Sequence, residues 1–317
     1  MSILGHAAPP RSLAAIDCGT NSIRLLVTDG DARPLARLMR ITRLGEGTNA
    51  TGRLAREAMS RTLDVLEEYG SVMTGLGVER ARAVATSAVR DAANSEEFLA
   101  AAEKACGVRP ELLTGTEEGR LAFEGATAEL DPGSGPYLVV DIGGGSTELV
   151  LGPAPGETER GPVVVSLNVG CVRLTERFLL HDPPREEELA AALAAVEALV
   201  DDAASRLPLR AARALIGLAG TVSALAAIQQ GLEEYDRARL HHFVLTLEAI
   251  RAMLAGLGAE DRAARARRPG LEPGRADVIV GGAVVLATVM ERLGFGQCLV
   301  SESDLLDGLV GSLRRSG

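Results

Sequence analysis

The chain has 317 residues and a formal net charge of −10; 46% of the residues are hydrophobic, 24% charged and 3% aromatic, with no tryptophan. This ordinary globular balance excludes a disordered or collagen-like chain, and the length predicts two domains. The acidic charge and the scarcity of aromatic stacking faces argue against nucleic acid and anionic membranes as partners. Four widely spaced cysteines, no signal peptide and no apolar run of membrane-spanning length predict a cytoplasmic protein.

The first part of the chain alternates strands and helices. Alternating apolar residues predict three successive strands that form a meander, and helical spacing with short apolar runs predicts the elements after them. Asn94 is the expected N-cap of one of these helices. The predicted strands are 13–17, 23–29, 35–44, 82–86 and 112–113, and the predicted helices are 53–76, 95–105 and 117–129.

The turn sequence Asp-Pro-Gly-Ser-Gly-Pro at 131–136 precedes a second series of the same kind. Three strands again come first, followed by helices with further strands between them. The apolar stretch 278–290 is too short to span a membrane and predicts a buried helix, with a homodimer interface as the alternative. The predicted strands are 137–141, 147–152, 163–167, 214–218 and 298–301, and the predicted helices are 170–180, 185–206, 221–230, 246–256, 259–268, 275–293 and 304–314.

The repetition extends to individual residues. The segment 15–25 (AIDCGTNSIRL) aligns with 139–149 (VVDIGGGSTEL) at a constant offset of 124 residues. An internal repeat indicates a duplicated structural unit. We therefore expect two homologous α/β domains that face each other across a cleft.

Each repeated turn ends a buried strand with an aspartate and continues with glycine and hydroxyl or amide residues. Glycines permit a tight bend and a close approach to a ligand, and successive backbone amides form a concave array that suits phosphate oxygens. A carboxylate beside phosphates fits a bridging divalent cation, since Mg²⁺ takes one or two carboxylates plus phosphate oxygens. A plain hairpin turn is the alternative. Two copies in register favour phosphate binding.

Two further turns, 85–90 (ATSAVR) and 219–223 (AGTVS), run from a strand into a helix, where free amides and the helix dipole favour anions. Simple N-capping is the alternative for both. Arg90 is a candidate phosphate ligand, or a surface residue paired with Asp91 or Glu97. Glu117 and Glu118 open another helix, where acidic residues are favoured by the dipole, so the residues alone do not identify a catalytic glutamate.

These motifs together resemble the Ppx/GppA family of exopolyphosphatases and guanosine pentaphosphate phosphohydrolases, within the actin, sugar-kinase and heat-shock-ATPase fold. The resemblance implies two duplicated actin-like (ribonuclease H-like) domains with an interdomain cleft. It implies residues 1–120 with 301–317 as domain I and residues 121–300 as domain II, in the short form that lacks a further C-terminal domain. The matching segments are 15–24 (AIDCGTNSIR), 43–52 (RLGEGTNATG), 85–90 (ATSAVR), 114–125 (TGTEEGRLAFEG), 139–151 (VVDIGGGSTELVL), 168–174 (NVGCVRL), 217–225 (GLAGTVSAL) and 275–282 (RADVIVGG).

The resemblance also implies roles for individual residues. Glu118 looks like the residue that positions and deprotonates the attacking water, and Asp141 and Glu148 look like the carboxylates that support Mg²⁺. Arg90 is similar to a phosphate-binding arginine. The implied phosphate-binding loops are Gly143, Gly144, Gly145 and Ser146 in one half and Gly19, Thr20 and Asn21 in the other, with Gly220 and Thr221 matching a loop that lies near the nucleotide in nucleotide-binding relatives.

We therefore expect a phosphoanhydride hydrolase that acts on the terminal phosphoryl group of inorganic polyphosphate or on the 5′-γ-phosphate of guanosine pentaphosphate. The rivals are a sugar-type kinase of the same fold and a sensor that binds guanosine penta- or tetraphosphate without turnover. The basic segment 262–275 either guides a polyanion or forms a solvated helix face.

Overall fold

A computed structural model describes residues 12–316, except 155 and 157–160. The described part of the first half contains one mixed sheet. Its strands are β1 Ser12–Cys18, β2 Ser22–Thr28, β3 Pro34–Ile41, β4 Val78–Ala85 and β5 Glu111–Leu112, in the spatial order β3-β2-β1-β4-β5. Strand β1 pairs antiparallel with β2 and parallel with β4, so the predicted meander is confirmed and a helical crossover extends it.

The second sheet repeats this arrangement. Its strands are β6 Tyr137–Ile142, β7 Thr147–Leu151, β8 Val163–Leu167, β9 Ala214–Leu218, β10 Val244–Thr246 and β11 Gln297–Val300, in the spatial order β10-β11-β9-β6-β7-β8. Strand β6 pairs antiparallel with β7 and parallel with β9, as β1 does with β2 and β4. Two mixed-sheet α/β domains of the same strand order confirm the predicted duplicated fold.

Helices cover both sheets. The helices of the described chain are α1 Thr48–Thr51, α2 Arg56–Gly75, α3 Ser87–Arg90, α4 Ser95–Cys106, α5 Gly115–Thr127, α6 Cys171–Phe178, α7 Glu186–Arg206, α8 Ala219–Gln230, α9 Arg237–Leu240, α10 Leu247–Ala259, α11 Arg262–Arg265, α12 Ile279–Leu293 and α13 Leu305–Arg315. Among them, none combines the length and apolar character that crossing a bilayer requires.

Three large groups of buried apolar side chains hold the layers of the described chain together. One lies between β1–β2 and helices α2 and α4, and another gathers β6–β7 with α6, α7, α8, α10 and α12. The third lies between the two sheets and is formed largely by α5 and α13, which contact each other, β1 and β7. The prediction of a buried helix at 278–290 is confirmed, because α12 is buried in the core of the second half. The two halves are thus joined through a shared apolar layer.

Some predictions differ from the structure in extent. The predicted helix 259–268 is wrong except for the four residues of α11. Residue 259 ends α10 instead, and the backbone is extended at Glu260 and Asp261. Strand β10 was not predicted, since its three residues give too short a pattern. Asn94 precedes α4 but makes no side-chain capping bond within the described residues; its Oδ1 accepts from the Leu54 amide at 2.8 Å instead. Helix α5 crosses the predicted domain limit after residue 120, and both limits stay predictions.

Candidate active site

The first strand of each half ends in the same tight turn. The Gly19 amide donates to the Ser22 carbonyl at 3.1 Å, and the Gly143 amide donates to the Ser146 carbonyl at 3.0 Å. Both bonds join residues at the repeat offset of 124. Because the closing hydrogen bond is the same, the two turns present their intervening amides in similar geometry.

These two turns face each other across one cleft. A side chain on Gly144 would put its Cβ 2.8 Å from Cβ of Thr20, and one on Gly145 would lie 2.7 Å from Oγ of Ser87. Thr20 and Ser87 share a hydrogen bond of 2.9 Å between their hydroxyl oxygens. Only glycine permits so close an approach, so the glycine run of the second half allows the halves to meet.

The cleft encloses a cavity of about 70 Å³. A larger depression of about 660 Å³ is lined by residues 231–239 alone and contains none of the predicted site residues, so we assign the site to the cleft. The predicted residues that line the cavity are Gly19, Thr20, Asn21, Glu118, Asp141, Gly143, Gly144 and Gly220, and Asp17, Arg24, Thr86, Ser87, Cys171 and Arg275 line it as well.

Adjacent glutamates at the start of α5 have separate positions. Glu117 is exposed and completes a capping box with Thr114, whose amide donates to Glu117 Oε2 at 2.9 Å. Glu118 is 7% exposed and faces the cavity. The ambiguity between the two residues in the sequence is therefore resolved in position: Glu117 stabilises the helix start, and Glu118 lies in the cleft.

Burial and mutual repulsion perturb the carboxylates of the cleft. Burial raises the pKa of Asp141 to about 7, although Arg24 opposes the shift. Burial and the charge of Asp141 raise the pKa of Glu148 to about 8. Burial, followed by the charges of Glu148 and Asp141, holds the pKa of Glu118 well above its usual range. A site of this kind favours a bound cation.

The two carboxylate oxygens of the buried Glu148 side chain differ in their hydrogen bonding. Its Oε1 accepts from the hydroxyl of Ser166 at 2.7 Å, and Ser166 belongs to the neighbouring strand β8. Its Oε2 is buried with no hydrogen-bond partner in the described part of the chain. An orphaned carboxylate oxygen beside Asp141 fits a divalent cation that completes its shell with phosphate oxygens and water. Among the described residues no group of three or more His, Cys, Asp or Glu is placed to hold an ion alone.

Arg90 lies beside Glu118. Its Nη1 donates to the Leu113 carbonyl at 2.7 Å and lies 3.4 Å from Glu118 Oε2. The alternative pairing with Asp91 is wrong, because Asp91 accepts from Arg173 at 2.6 Å. The cation is thus directed toward the predicted base.

The two predicted residues of the strand-to-helix turn at 219–223 separate in the structure. Gly220 lines the cavity, and the guanidinium of Arg275 lies directly against it. Thr221 is buried beside Gly282 of α12, away from the lining. Arg90, Gly145, Ser146 and Glu148 are likewise not among the residues that line the cavity.

The arginines of the basic segment 262–275 have different surroundings in the structure. Arg265 is 4% exposed and ion-paired with Asp182. Arg268 forms two hydrogen bonds of 2.7 Å with Glu260. Arg275 alone of this segment lines the cavity.

Sequence reasoning missed several residues of the cleft. Arg24 carried a signal, because it occupies the position of Glu148 at the offset of 124. Ser166 and Asp304 carried none, since each reaches the site through a neighbouring element: Ser166 bonds Glu148, and Asp304 bonds Arg24.

Duplicated α/β halves that bring glycine turns and buried carboxylates into one cleft are typical of proteins that bind phosphate groups. The chain belongs to the Ppx/GppA phosphatase family, whose pattern matches residues 26–316.

Named relatives agree with this assignment. The chain is 44% identical over 322 residues to exopolyphosphatase 2 of Mycobacterium tuberculosis, with coverage of 95% of this chain and 98% of that protein. It is 30% identical to the guanosine-5′-triphosphate,3′-diphosphate pyrophosphatase of Photobacterium profundum, but spans only 58% of that protein while 94% of this chain is covered. The crystal structure of an exopolyphosphatase-like protein matches with a TM-score of 0.91 at 39% identity, over 96% of this chain and 99% of the other.

Proposed function

We propose that this protein is an exopolyphosphatase that hydrolyses the terminal phosphoanhydride bond of inorganic polyphosphate and releases orthophosphate with the help of Mg²⁺. The observation that carries the proposal is the placement of Glu118 in a cavity between two facing glycine turns. The 44% identity to exopolyphosphatase 2, over nearly the whole of both chains, supports polyphosphate as the substrate.

In the proposed reaction, the turns at 19–21 and 143–146 donate backbone amides to the terminal phosphoryl group from opposite walls. Arg90 adds a guanidinium to the phosphate oxygens next to Glu118. Phosphoryl transfer depends mainly on such positioning and on neutralising charge. The chain's overall acidity is no obstacle, because these donors act locally.

Glu118 accepts a proton from the attacking water and orients it in line with the bond that breaks. Its pKa in the free protein is raised first by burial and then by the charges of Glu148 and Asp141. Mg²⁺, held by Asp141 and Glu148 together with phosphate oxygens, would supply charge neutralisation. Neutralising these two neighbouring carboxylates would remove their repulsion and so lower the pKa of Glu118 toward its ordinary range, which favours its action as a base.

A second candidate is hydrolysis of the 5′-γ-phosphate of guanosine pentaphosphate. The 30% identity to a guanosine-5′-triphosphate,3′-diphosphate pyrophosphatase favours it, although this chain spans only part of that relative. A sensor without turnover would need no base, and Glu118 lies at the cavity, which argues against that reading.

The test is phosphate release measured side by side from short polyphosphate, long polyphosphate and guanosine pentaphosphate, with and without Mg²⁺. We expect the highest kcat/KM on polyphosphate and loss of activity with a chelator. Faster release from guanosine pentaphosphate would replace the first candidate with the second, and binding without release would favour the sensor. The homodimer and the cytoplasmic location stay predictions from sequence.

A further inference from the structure

The two halves place opposite charges at equivalent positions of the cleft. In the first half Asp17 lies across from Arg24 in the β1–β2 pair. In the second half Asp141 lies across from Glu148 in the β6–β7 pair. The repeat offset relates both partners, so the duplication is symmetric in backbone and asymmetric in charge. One half has a carboxylate with a cation, and the other has two carboxylates.

Arg24 is fixed by carboxylates from two distant elements. Its Nε and Nη2 donate to Asp17 Oδ2 at 3.0 and 2.6 Å, and its Nη1 donates to Asp304 Oδ2. Asp304 is the N-cap of α13 and accepts from the Leu306 amide at 2.9 Å. A planar guanidinium held at both ends by a fork of hydrogen bonds is rigid. Arg24 is therefore part of the cleft wall and not a free side chain.

This guanidinium competes with any second cation. A divalent ion bound to Asp17 would share that carboxylate with Arg24, and like charges at contact distance in a partly buried site repel strongly. Asp17 and Glu148 each have one buried carboxylate oxygen without a partner in the described part of the chain, Oδ1 and Oε2. The two sides differ because Asp17 accepts both of its bonds from the Arg24 guanidinium, whereas Glu148 accepts its bond from the uncharged hydroxyl of Ser166. Two-metal phosphohydrolases need carboxylates for both ions, whereas here one half has already paired its carboxylate.

We infer that Arg24 is the built-in counter-cation of the first half and restricts divalent-cation binding in the cleft to the Asp141–Glu148 pair, one ion per chain. This inference rests on the metal site of the proposed function. It assigns to Asp304 a positioning role, since that side chain holds Arg24 against Asp17.

The experiment counts bound Mn²⁺, used as a spectroscopic substitute for Mg²⁺, on the metal-stripped full chain by electron paramagnetic resonance. Wild type is expected to bind one ion. Arg24→Gln and Arg24→Met remove the charge and are expected to bind two, and adding Asp17→Asn to Arg24→Gln should return the count to one. Arg82→Gln is the matched control, because Arg82 also contacts α13, at Ser312, but pairs with Glu111 and does not line the cavity; it should bind one ion.

The outcomes separate this inference from the proposed function. One ion in wild type and still one in both neutral Arg24 variants overturns the role of Arg24 and leaves the metal site intact. No ion in wild type overturns the metal site itself, and the inference with it. Two ions in wild type overturn the inference without any variant. Should the neutral variants fail to fold, Arg24→Lys keeps the charge and must bind one ion, and a count of two there would contradict exclusion by charge.

Discussion

At the scale of residues, neighbouring glutamates differ in role because successive helix positions point about 100° apart. The capping box turns Glu117 back toward the Thr114 amide, and the next position turns Glu118 into the cleft. The residues alone predicted acidic side chains at this helix start without separating them, and the family resemblance implied Glu118 as the base. Their separation depends on which face of α5 is covered by the second sheet, and that is a tertiary property.

Replacing Glu118 by Gln is expected to lower kcat about 10²–10⁴-fold, the usual loss for removing a general base. KM for polyphosphate should change little, because the amide keeps the size of the side chain. Steady-state phosphate release measures both. Glu117→Gln is the control: glutamine can also complete the capping box, so the helix start should be kept and kcat should stay unchanged. Wild-type turnover in Glu118→Gln would refute the assignment.

Ser166 is expected to position Glu148, since its hydroxyl donates to Oε1 of that carboxylate. In Ser166→Ala, the Mg²⁺ concentration for half-maximal activity should rise about tenfold, the lower end of the effect of removing a hydrogen bond behind a metal ligand. A Mn²⁺ binding titration should show the same shift without substrate. Ser71→Ala, at an exposed helix position, is the control. An unchanged titration in Ser166→Ala would leave Ser166 with no positioning role.

At the scale of elements, the second glycine turn is braced by helix α6. The amides of Cys171 and Val172 donate to the carbonyls of Gly143 and Gly144 at 2.9 Å each. The first amides of α6 are thus hydrogen-bonded to the turn and hold it in place. The sequence predicted a helix at 170–180 but could not show that its first amides hydrogen-bond a turn that lies 28 residues earlier in the chain, from 171 to 143 and from 172 to 144.

Gly170→Ala tests this bracing. A Cβ there would lie 2.5 Å from the carbonyl oxygens of Gly143 and Gly144, so the turn must shift. Displacing a phosphate-binding turn by about 1 Å is expected to lower kcat/KM about 10²-fold. Gly75→Ala is the matched control, because nothing lies within 4 Å of its Cβ, and helical alanine should add about 0.5–1 kcal/mol of stability. Equal kcat/KM for Gly170→Ala and wild type would mean that the turn needs no such support.

At the scale of the whole molecule, the cleft gathers charge from elements far apart in the chain. Asp17 and Arg24 come from the first sheet, Asp141 from the second, Glu118 from α5 and Asp304 from the start of α13. Links across the halves hold them together: Arg43 pairs with Asp277 at 2.8 Å, Arg173 with Asp91 at 2.6 Å, and Asn49 donates to Glu176 at 2.7 Å. The electrostatics of the site is therefore a property of the assembled halves.

The raised pKa values of Asp141 and Glu148 make the free energy of unfolding of the metal-free protein depend on pH. Asp141 and Glu148 have folded pKa values of about 7 and about 8 against ordinary values of 3.8 and 4.5. The folded state thus binds more protons than the unfolded state between about pH 4 and pH 8, and stability falls as pH rises through this window. With a chelator present, Tm should be lower at pH 8 than at pH 5.

The matched measurement adds Mg²⁺ at both pH values. Since the ion binds the anionic carboxylates, it should raise Tm more at pH 8 than at pH 5. Asp141→Asn removes one titrating group. It should therefore reduce both the change of Tm with pH and the difference between the Mg²⁺ effects at pH 5 and pH 8. If Tm of the metal-free wild type rises from pH 5 to pH 8, the raised carboxylate pKa values are wrong.

The sequence by itself determined the duplicated α/β fold, because strand and helix periodicity are local and the offset of 124 is visible in the letters. It also located the two glycine turns, since a tight turn depends on neighbouring residues. Only the tertiary structure decided that Glu118 rather than Glu117 enters the cleft, that Arg275 lies against Gly220 while Arg265 is paired elsewhere, and that Asp304 holds Arg24. Such contacts join residues far apart in the chain, and no local pattern records which surfaces packing will bring together.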